Sequence, residues 1–324
     1  MTPLRGHDLV RSDATIRYWT TGPVDAPTVV LLHGATLDHR AWIPQIDALQ
    51  DRFHLVVPDL RAHGVSTGRF DFDAAVHDVL ALLDELPAER VVLVGLSLGG
   101  NIAQELIRRE PDRVHALVAA DTTCNSAARH PFATSAGVAA LRSHAMMAGS
   151  GFARQAARAT ATTPQAQQYA LEVNAHRSTR ETVDILTSLL TSALRPEPAY
   201  RLPVPALLVH GAQDRVGDIA AGMRAWSQRE PLADYAVIPD AGHASNLDNP
   251  DAFTALVTTF LDELLHPVDP VDQARSAEAG AEELYRRYGA RPWHLLPEAT
   301  REHYRGLVAA GIDGRGQPLL PAAG

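Results

Sequence analysis

The chain has 324 residues, 46% of them hydrophobic, and a formal net charge of −9 at pH 7. That length and apolar content suffice for a large buried core, and the acidic balance, without any basic run, argues against a nucleic-acid partner. The single cysteine, Cys124, rules out an internal disulfide and a cysteine-rich zinc site, and no apolar run approaches the roughly 20 residues of a membrane span. All 29 basic residues are arginine, a bias read as genomic composition. The first thirty residues contain no charged segment leading into an apolar core, so no signal peptide is expected and the cytoplasm is the expected compartment.

Residues 7–18 alternate in short segments that suit an antiparallel hairpin. Residues 28–32 form an apolar, β-branched run that predicts a buried strand leading into His33-Gly34-Ala35-Thr36. Residues 38–50 predict one helix, with Trp42, Ile46 and Leu49 on its apolar face. A second strand over 54–60 ends in Arg61-Ala62-His63-Gly64, where Arg61 and His63 are read as tying down their own loop. Asp71 caps a helix with an apolar stripe through Phe72, Val76, Val79, Leu80 and Leu83, closed by Pro87. A strand over 91–94, a tight Gly95-Leu96-Ser97-Leu98-Gly99 turn and a helical run follow, and then a strand over 114–120 ends at Asp121. Such alternation of strand and helix specifies a mostly parallel sheet wrapped by helices.

From 122 to 202 the alternation stops, and only helical segments rich in Ala, Thr and Gln remain. Ser178-Thr-Arg-Glu181 is a capping box, and Pro164 suits a first helical turn. This stretch is read as an inserted helical cap, so the expected core comprises 1–121 and 203–266. The rhythm resumes with a strand over 206–211 leading to Asp214, a strand over 235–239 leading to His243, and a helix from Pro250. Residues 267–324 form an extension, helical over 273–288 and 299–310 and frayed beyond; it is read as a dimer contact. No internal repeat is present.

Gly-x-Ser-x-Gly arises by composition in about one chain in ten of this length, so its partners carry the argument. A serine nucleophile needs a base to take its proton and a carboxylate to orient that base. Ser97, Asp214 and His243 each follow a predicted parallel strand, at the edge where open α/β sheets place their sites. The backbone N–H groups of Leu98 and Ala35 suit a tetrahedral oxyanion. Asp121 is a rival for the acid, read instead as a structural cap. His33, Thr36, Trp42 and Cys124 stand as candidate substrate contacts, with the His33 imidazole also read as bonded to its own loop. The cap carries eight arginines against four acids, which raises the question of a carboxylate-bearing substrate.

These motifs resemble those of the α/β-hydrolase superfamily, in the branch of esterases, enol-lactonases and cofactor-free haloperoxidases. The matching segments are His33-Gly34, Asp38-His-Arg-Ala-Trp42, Asp59-Leu-Arg-Ala-His-Gly64-Val-Ser66, Gly95-Leu-Ser-Leu-Gly-Gly100, Pro111-Asp-Arg-Val114, His210-Gly-Ala-Gln-Asp214 and Ala241-Gly-His243. The resemblance implies a mostly parallel eight-stranded sheet flanked by helices, a Ser97–His243–Asp214 triad, and no metal or cofactor. It also implies that serine at 97 argues against a haloalkane dehalogenase or epoxide hydrolase, which carry Asp there. Two departures stand out: the family often has Gly in place of Ala62, and an acidic residue near Asn249. The expected activity is cleavage of a small ester or lactone through an acyl-enzyme. A C–C bond hydrolase, an acyltransferase and a non-catalytic small-ligand receptor are the alternatives.

Overall fold

Strands β3 (Thr28–Leu32), β4 (His54–Pro58), β5 (Val91–Leu96) and β7 (Ala206–Gly211) are buried at every position. Continuous burial of Val- and Leu-rich strands is what parallel strands covered on both faces require. The computed structural model describes residues 4–128, 134–265, 270–286, 292–296 and 298–309. With β1 (Arg5–Val10), β2 (Thr15–Thr21), β6 (Val114–Ala120) and β8 (Ala233–Ile238) the strands form one eight-stranded sheet in the order β1-β2-β4-β3-β5-β6-β7-β8. The β1–β2 and β2–β4 pairs are antiparallel and the others parallel. The order runs outward in one direction from β3 and in the other from β5. The switch point, where such sheets open a crevice at their carboxyl ends, therefore lies between them.

Helices α1 (Ile43–Leu49), α2 (Phe72–Glu85) and α3 (Leu98–Arg109) connect the first half of the sheet, and α8 (Ile219–Ser227), α9 (Ser245–Asp248) and α10 (Pro250–Leu265) the second. Asp71 accepts from the Ala74 N–H as the N-cap of α2, whose Phe72, Ala75, Val76, Val79, Leu82 and Leu83 are buried. The single helix expected over 38–50 is divided: a 3₁₀ turn at His39–Trp42 precedes α1, and Pro44 sits in the first turn of the new helix. Proline has no N–H to give and its ring crowds the preceding turn, so the helix restarts there. The loop after β4 is held by Arg61, 3% exposed, which pairs with Asp78 on α2 at 2.7 Å and with Asp13 at 3.2 Å.

Between β6 and β7 lie α4 (Ser135–Ala148), α5 (Phe152–Thr160), α6 (Pro164–Val173) and α7 (Thr179–Ser188). The Ser178–Glu181 capping box is fully formed, and Pro164 stands in the first turn of α6. Past Ser188 the chain makes a π turn over Leu189–Ala193 rather than continuing the α-helix.

The chain divides into two compact units, Met1–Phe260 and Leu261–Gly324. In the second, α11 (Pro270–Arg286) and α12 (Glu298–Ala309) enclose a small core of Ala281, Tyr285, Trp293 and Leu296. Glu278 there accepts from Trp293 Nε1 at 2.7 Å and from Arg305 Nε at 2.5 Å. The start of the expected extension, 267–269, and its expected frayed end lie outside the described residues. Among the described residues no helix is long and apolar enough to cross a membrane.

Candidate active site

Ser97 turns the chain from β5 into α3 with φ +50° and ψ −113°, a conformation that costs an L-residue energy and persists only where its surroundings impose it. They do so through close backbone contact. A Cβ on Gly99 would sit 2.1 Å from the Leu32 carbonyl oxygen, so only glycine lets α3 approach β3 this closely. The Ser97 N–H donates to Ala120 O at 2.8 Å, extending the β5–β6 ladder into the turn. The hydroxyl is thereby presented at the carboxyl edge of the sheet.

Asp214 and His243 reach the same point from β7 and β8. Gln213 N donates to Ala241 O at 2.8 Å, and a Cβ on Gly211 would lie 2.1 Å from Gly242 O, so the two loops abut backbone to backbone. His243 Nε2 lies 2.9 Å from Ser97 Oγ, and His243 Nδ1 lies 3.0 Å from Asp214 Oδ2. Asp214 Oδ1 accepts from Val216 N at 2.8 Å. The Asp214 side chain is fully buried and His243 is 8% exposed. An ionised carboxylate only accepts, so Nδ1 carries the proton and Nε2 is left to accept from the serine. Burial disfavours the charged imidazole, but the hydrogen bond and charge of Asp214, aided by Asp121, outweigh it and raise the His243 pKa.

Asp121, wholly buried with φ +44°, lies beside this arrangement without bonding to the imidazole. Its Oδ1 accepts from Gly211 N at 2.7 Å, and its Oδ2 accepts from the Ser245 N–H and hydroxyl. It therefore joins the ends of β6 and β7 to the loop after His243. Burial, reinforced by the Asp214 charge, raises its pKa to about 7.

Leu98 is the first residue of α3, so its N–H has no intrahelical acceptor and lies at the positive end of the helix. Ala35 sits in a turn closed by Leu37 N donating to Gly34 O at 3.2 Å, with Thr36 at φ +63°. Leu98 follows Ser97 directly, and the Ala35 turn follows β3, the strand paired with β5.

Two of the expected substrate contacts are corrected. His33 is fully buried, with Nδ1 bonded to Gly34 O at 2.8 Å and Nε2 accepting from Leu60 N at 3.0 Å; no ring nitrogen remains for a ligand. Trp42 is fully buried, its ring 6.1 Å from that of Phe253, so it is core. Cys124 is 4% exposed beside Ser126 and Arg229, and burial raises its thiol pKa. Thr36 is half-buried in the Ala35 turn. Of the cap arginines, Arg142, Arg154, Arg158, Arg180, Arg195 and Arg201 are exposed, and Arg129 lies outside the described residues. Arg177 is half-buried, with Nη1 donating to Ala62 O at 2.9 Å.

Asp38, His39 and Asp59 form the one metal-like cluster among the described residues, with candidate ligand atoms within 4.8 Å of one another. Its oxygens already accept from Arg40, Tyr169, His39 and Val65, so it is an ion-paired network. Sequence reasoning missed Asp248, 9% exposed, whose carboxylate accepts from Gly242 N at 2.8 Å, Thr162 N at 2.9 Å and Thr163 N at 2.8 Å. An acid does stand beside Asn249, as its immediate neighbour in Asp248-Asn249-Pro250, and that sequence is the available signal.

Residues 27–250 match the family model described as alpha/beta hydrolase fold. The chain is 25% identical over 262 residues to 3-oxoadipate enol-lactonase 2 of Acinetobacter baylyi, an alignment covering 78% of this chain and 95% of the relative. It is 31% identical to the pimeloyl-[acyl-carrier protein] methyl ester esterase of Chromobacterium violaceum, covering 73% and 94%. Among solved structures, the enol-lactonase from Burkholderia xenovorans is 27% identical with a TM-score of 0.63, covering 79% of this chain and all of that one.

Proposed function

The chain belongs to the alpha/beta hydrolase family, and on that premise we propose that it is a serine hydrolase cleaving a carboxylic ester or lactone of a small organic substrate through an acyl-enzyme. Relatives named as an enol-lactonase and a methyl ester esterase support ester hydrolysis in general. The observation that carries the finer reading is the continuous relay from Ser97 Oγ through His243 to Asp214, at 2.9 and 3.0 Å.

His243 Nε2 accepts the serine proton as Ser97 Oγ attacks the substrate carbonyl carbon. The Leu98 and Ala35 N–H groups take the charge that develops on the carbonyl oxygen. The imidazolium, held by Asp214, returns the proton to the leaving alkoxide as the C–O bond breaks. Water then enters; His243 takes its proton as the oxygen bonds to the acyl carbon, the acyl–Ser97 bond breaks, His243 returns the proton to Ser97 Oγ, and the acid departs. In a lactone the leaving alkoxide stays tethered to the acyl group, and the same two steps release a hydroxy acid.

The test is intact-protein mass after incubation with a fluorophosphonate, on wild type and Ser97→Ala. One adduct that disappears in the variant is the expected result, together with a loss of ester turnover of about 10⁴-fold or more. A folded wild type that forms no adduct would overturn the reading and leave a ligand-binding protein with an unassembled relay.

A further inference from the structure

Cap helix α6 is bonded at both ends to the loops of the site. At its N-terminal end, Asp248 gathers the Thr162 and Thr163 N–H groups, the Thr163 hydroxyl at 2.9 Å and the Gly242 N–H, while Ala244 N donates to Thr160 O at 2.7 Å. Gly242 and Ala244 flank His243 in sequence. At the other end, Asn174 Nδ2 donates to Thr36 O at 2.9 Å and to Ala170 O at 2.7 Å. Both partners are carbonyl oxygens, which fixes the amide orientation. Tyr169 Oη donates to Asp38 Oδ1 at 3.0 Å and accepts from the Asp38 N–H at 3.2 Å.

The Asn174 contact matters because of the peptide it grips. Thr36 O and Leu37 N belong to one peptide unit, whose N–H already closes the turn onto Gly34 O. Gripped from both sides, that unit cannot rotate, and the left-handed Thr36 behind the Ala35 N–H is held in place. Ten helical residues at about 1.5 Å each make a spacer of about 15 Å between this turn and the His243 loop.

We propose that α6 is a strut setting the separation of the Ala35 turn and the His243 loop, with Asn174 and Asp248 as its positioning residues. The inference rests on the reading of Ser97, His243 and Asp214 as a triad with Ala35 in its oxyanion hole. The cap is then part of the rate-determining geometry, whereas a lid alone would govern only access.

The experiment compares Asn174→Asp, which keeps the side-chain volume and removes the donor, with Asn174→Ala and Asp248→Asn. The readouts are kcat and KM on p-nitrophenyl acetate, the rate of fluorophosphonate labelling, and Tm. Deleting one oxyanion donor costs about 10²–10³ in rate, and a donor that is misaligned but present should cost about tenfold. Asn174→Asp is expected to lower kcat and labelling in parallel by that factor, with KM within about twofold. A raised KM at unchanged kcat would overturn the strut, since α6 would then only shape the pocket; so would rates equal to wild type in a folded variant. Should Asn174→Ala unfold, the isosteric Asn174→Asp and Asp248→Asn carry the test. A wild type inert to both reagents removes the triad reading and the strut together, whereas a reactive wild type matched by its variants removes the strut alone.

Discussion

The carboxyl edge of the sheet, which carries Ser97, and the helices inserted between β6 and β7 are held by different forces. Around the elbow Leu93, Leu98, Ile102 and Leu106 are fully buried, and the strands below them are sealed on both faces. In the cap, α4 buries only Val138 and Ala145 of its fourteen residues, and α7 buries three of ten. The sheet edge is fixed by apolar burial, at about 25 cal/mol per Å², and by backbone ladders. Helix α6 is joined to the core loops by polar side chains such as Tyr169, Asn174 and Asp248, each hydrogen bond contributing about 1 kcal/mol net, while Ile185 and Ala193 further along the chain enter the main apolar core. Damage should therefore be abrupt at the edge and graded in the cap.

Gly99→Ala is the strongest way to test this contrast. The added methyl meets the Leu32 carbonyl at 2.1 Å, a backbone atom that no rotamer can move. We expect a loss of about 3 kcal/mol, at the upper end of overpacking costs, with ester turnover abolished even in the fraction that folds. Thermal melting and residual kcat measure it; a variant with wild-type Tm would show that α3 and β3 can slide apart.

Asp121→Asn tests the edge through its charge. On the proposed mechanism hydrolysis needs neutral His243, so kcat/KM is expected to rise with pH through a pKa above the ordinary 6.5 of imidazole. Asp121 helps to raise that pKa, so removing its charge should move the acidic limb of the profile to lower pH. The folded-state pKa of Asp121, about 7 against the ordinary 3.8 of an aspartate, means that the native state resists its ionisation. Wild-type stability from this group is accordingly present below pH 4 and lost as pH rises towards 7. Relative to wild type, the variant should be more stable at pH 8 than at pH 5. A pH profile unmoved by the substitution would show that Asp121 and His243 do not interact.

Ser178→Ala gives the mildest perturbation. It removes half of the α7 capping box, where Ser178 Oγ accepts from Glu181 N at 3.2 Å. A cost of about 1 kcal/mol is expected, appearing as faster amide exchange in α7 while protection in β5 stays unchanged. Equal loosening of β5 would mean that cap and edge unfold together and that the contrast is false.

How much could be read in advance follows the same division. Buried strands announce themselves in runs such as Val91-Val-Leu-Val94, and the residues of the Ser97 relay each follow such a run. Local cap signals, Pro164 and the Ser178–Glu181 box, were equally legible because they act over three or four residues. Asn174 meeting Thr36, 138 positions away, and Asp248 meeting Thr162 leave no local trace, since a polar residue at a helix end reads the same whether its partner is water or a distant loop. Trp42 misled for a related reason. Its spacing with Ile46 and Leu49 placed it on an apolar face, and only tertiary burial against Phe253 decides that the face is core rather than pocket.

One consequence of the glycine contacts concerns precision. At Gly99 against Leu32, and at Gly211 against Gly242, helix α3 meets strand β3 and the end of β7 meets the His243 loop chiefly through main-chain atoms. A position transmitted through side chains accumulates the scatter of every torsion along the way, whereas main chain resting on main chain adds almost none. The relay is assembled like parts seated against machined shoulders, so apart from the α6 strut a side-chain substitution nearby can change the surroundings of the three groups without shifting where they meet.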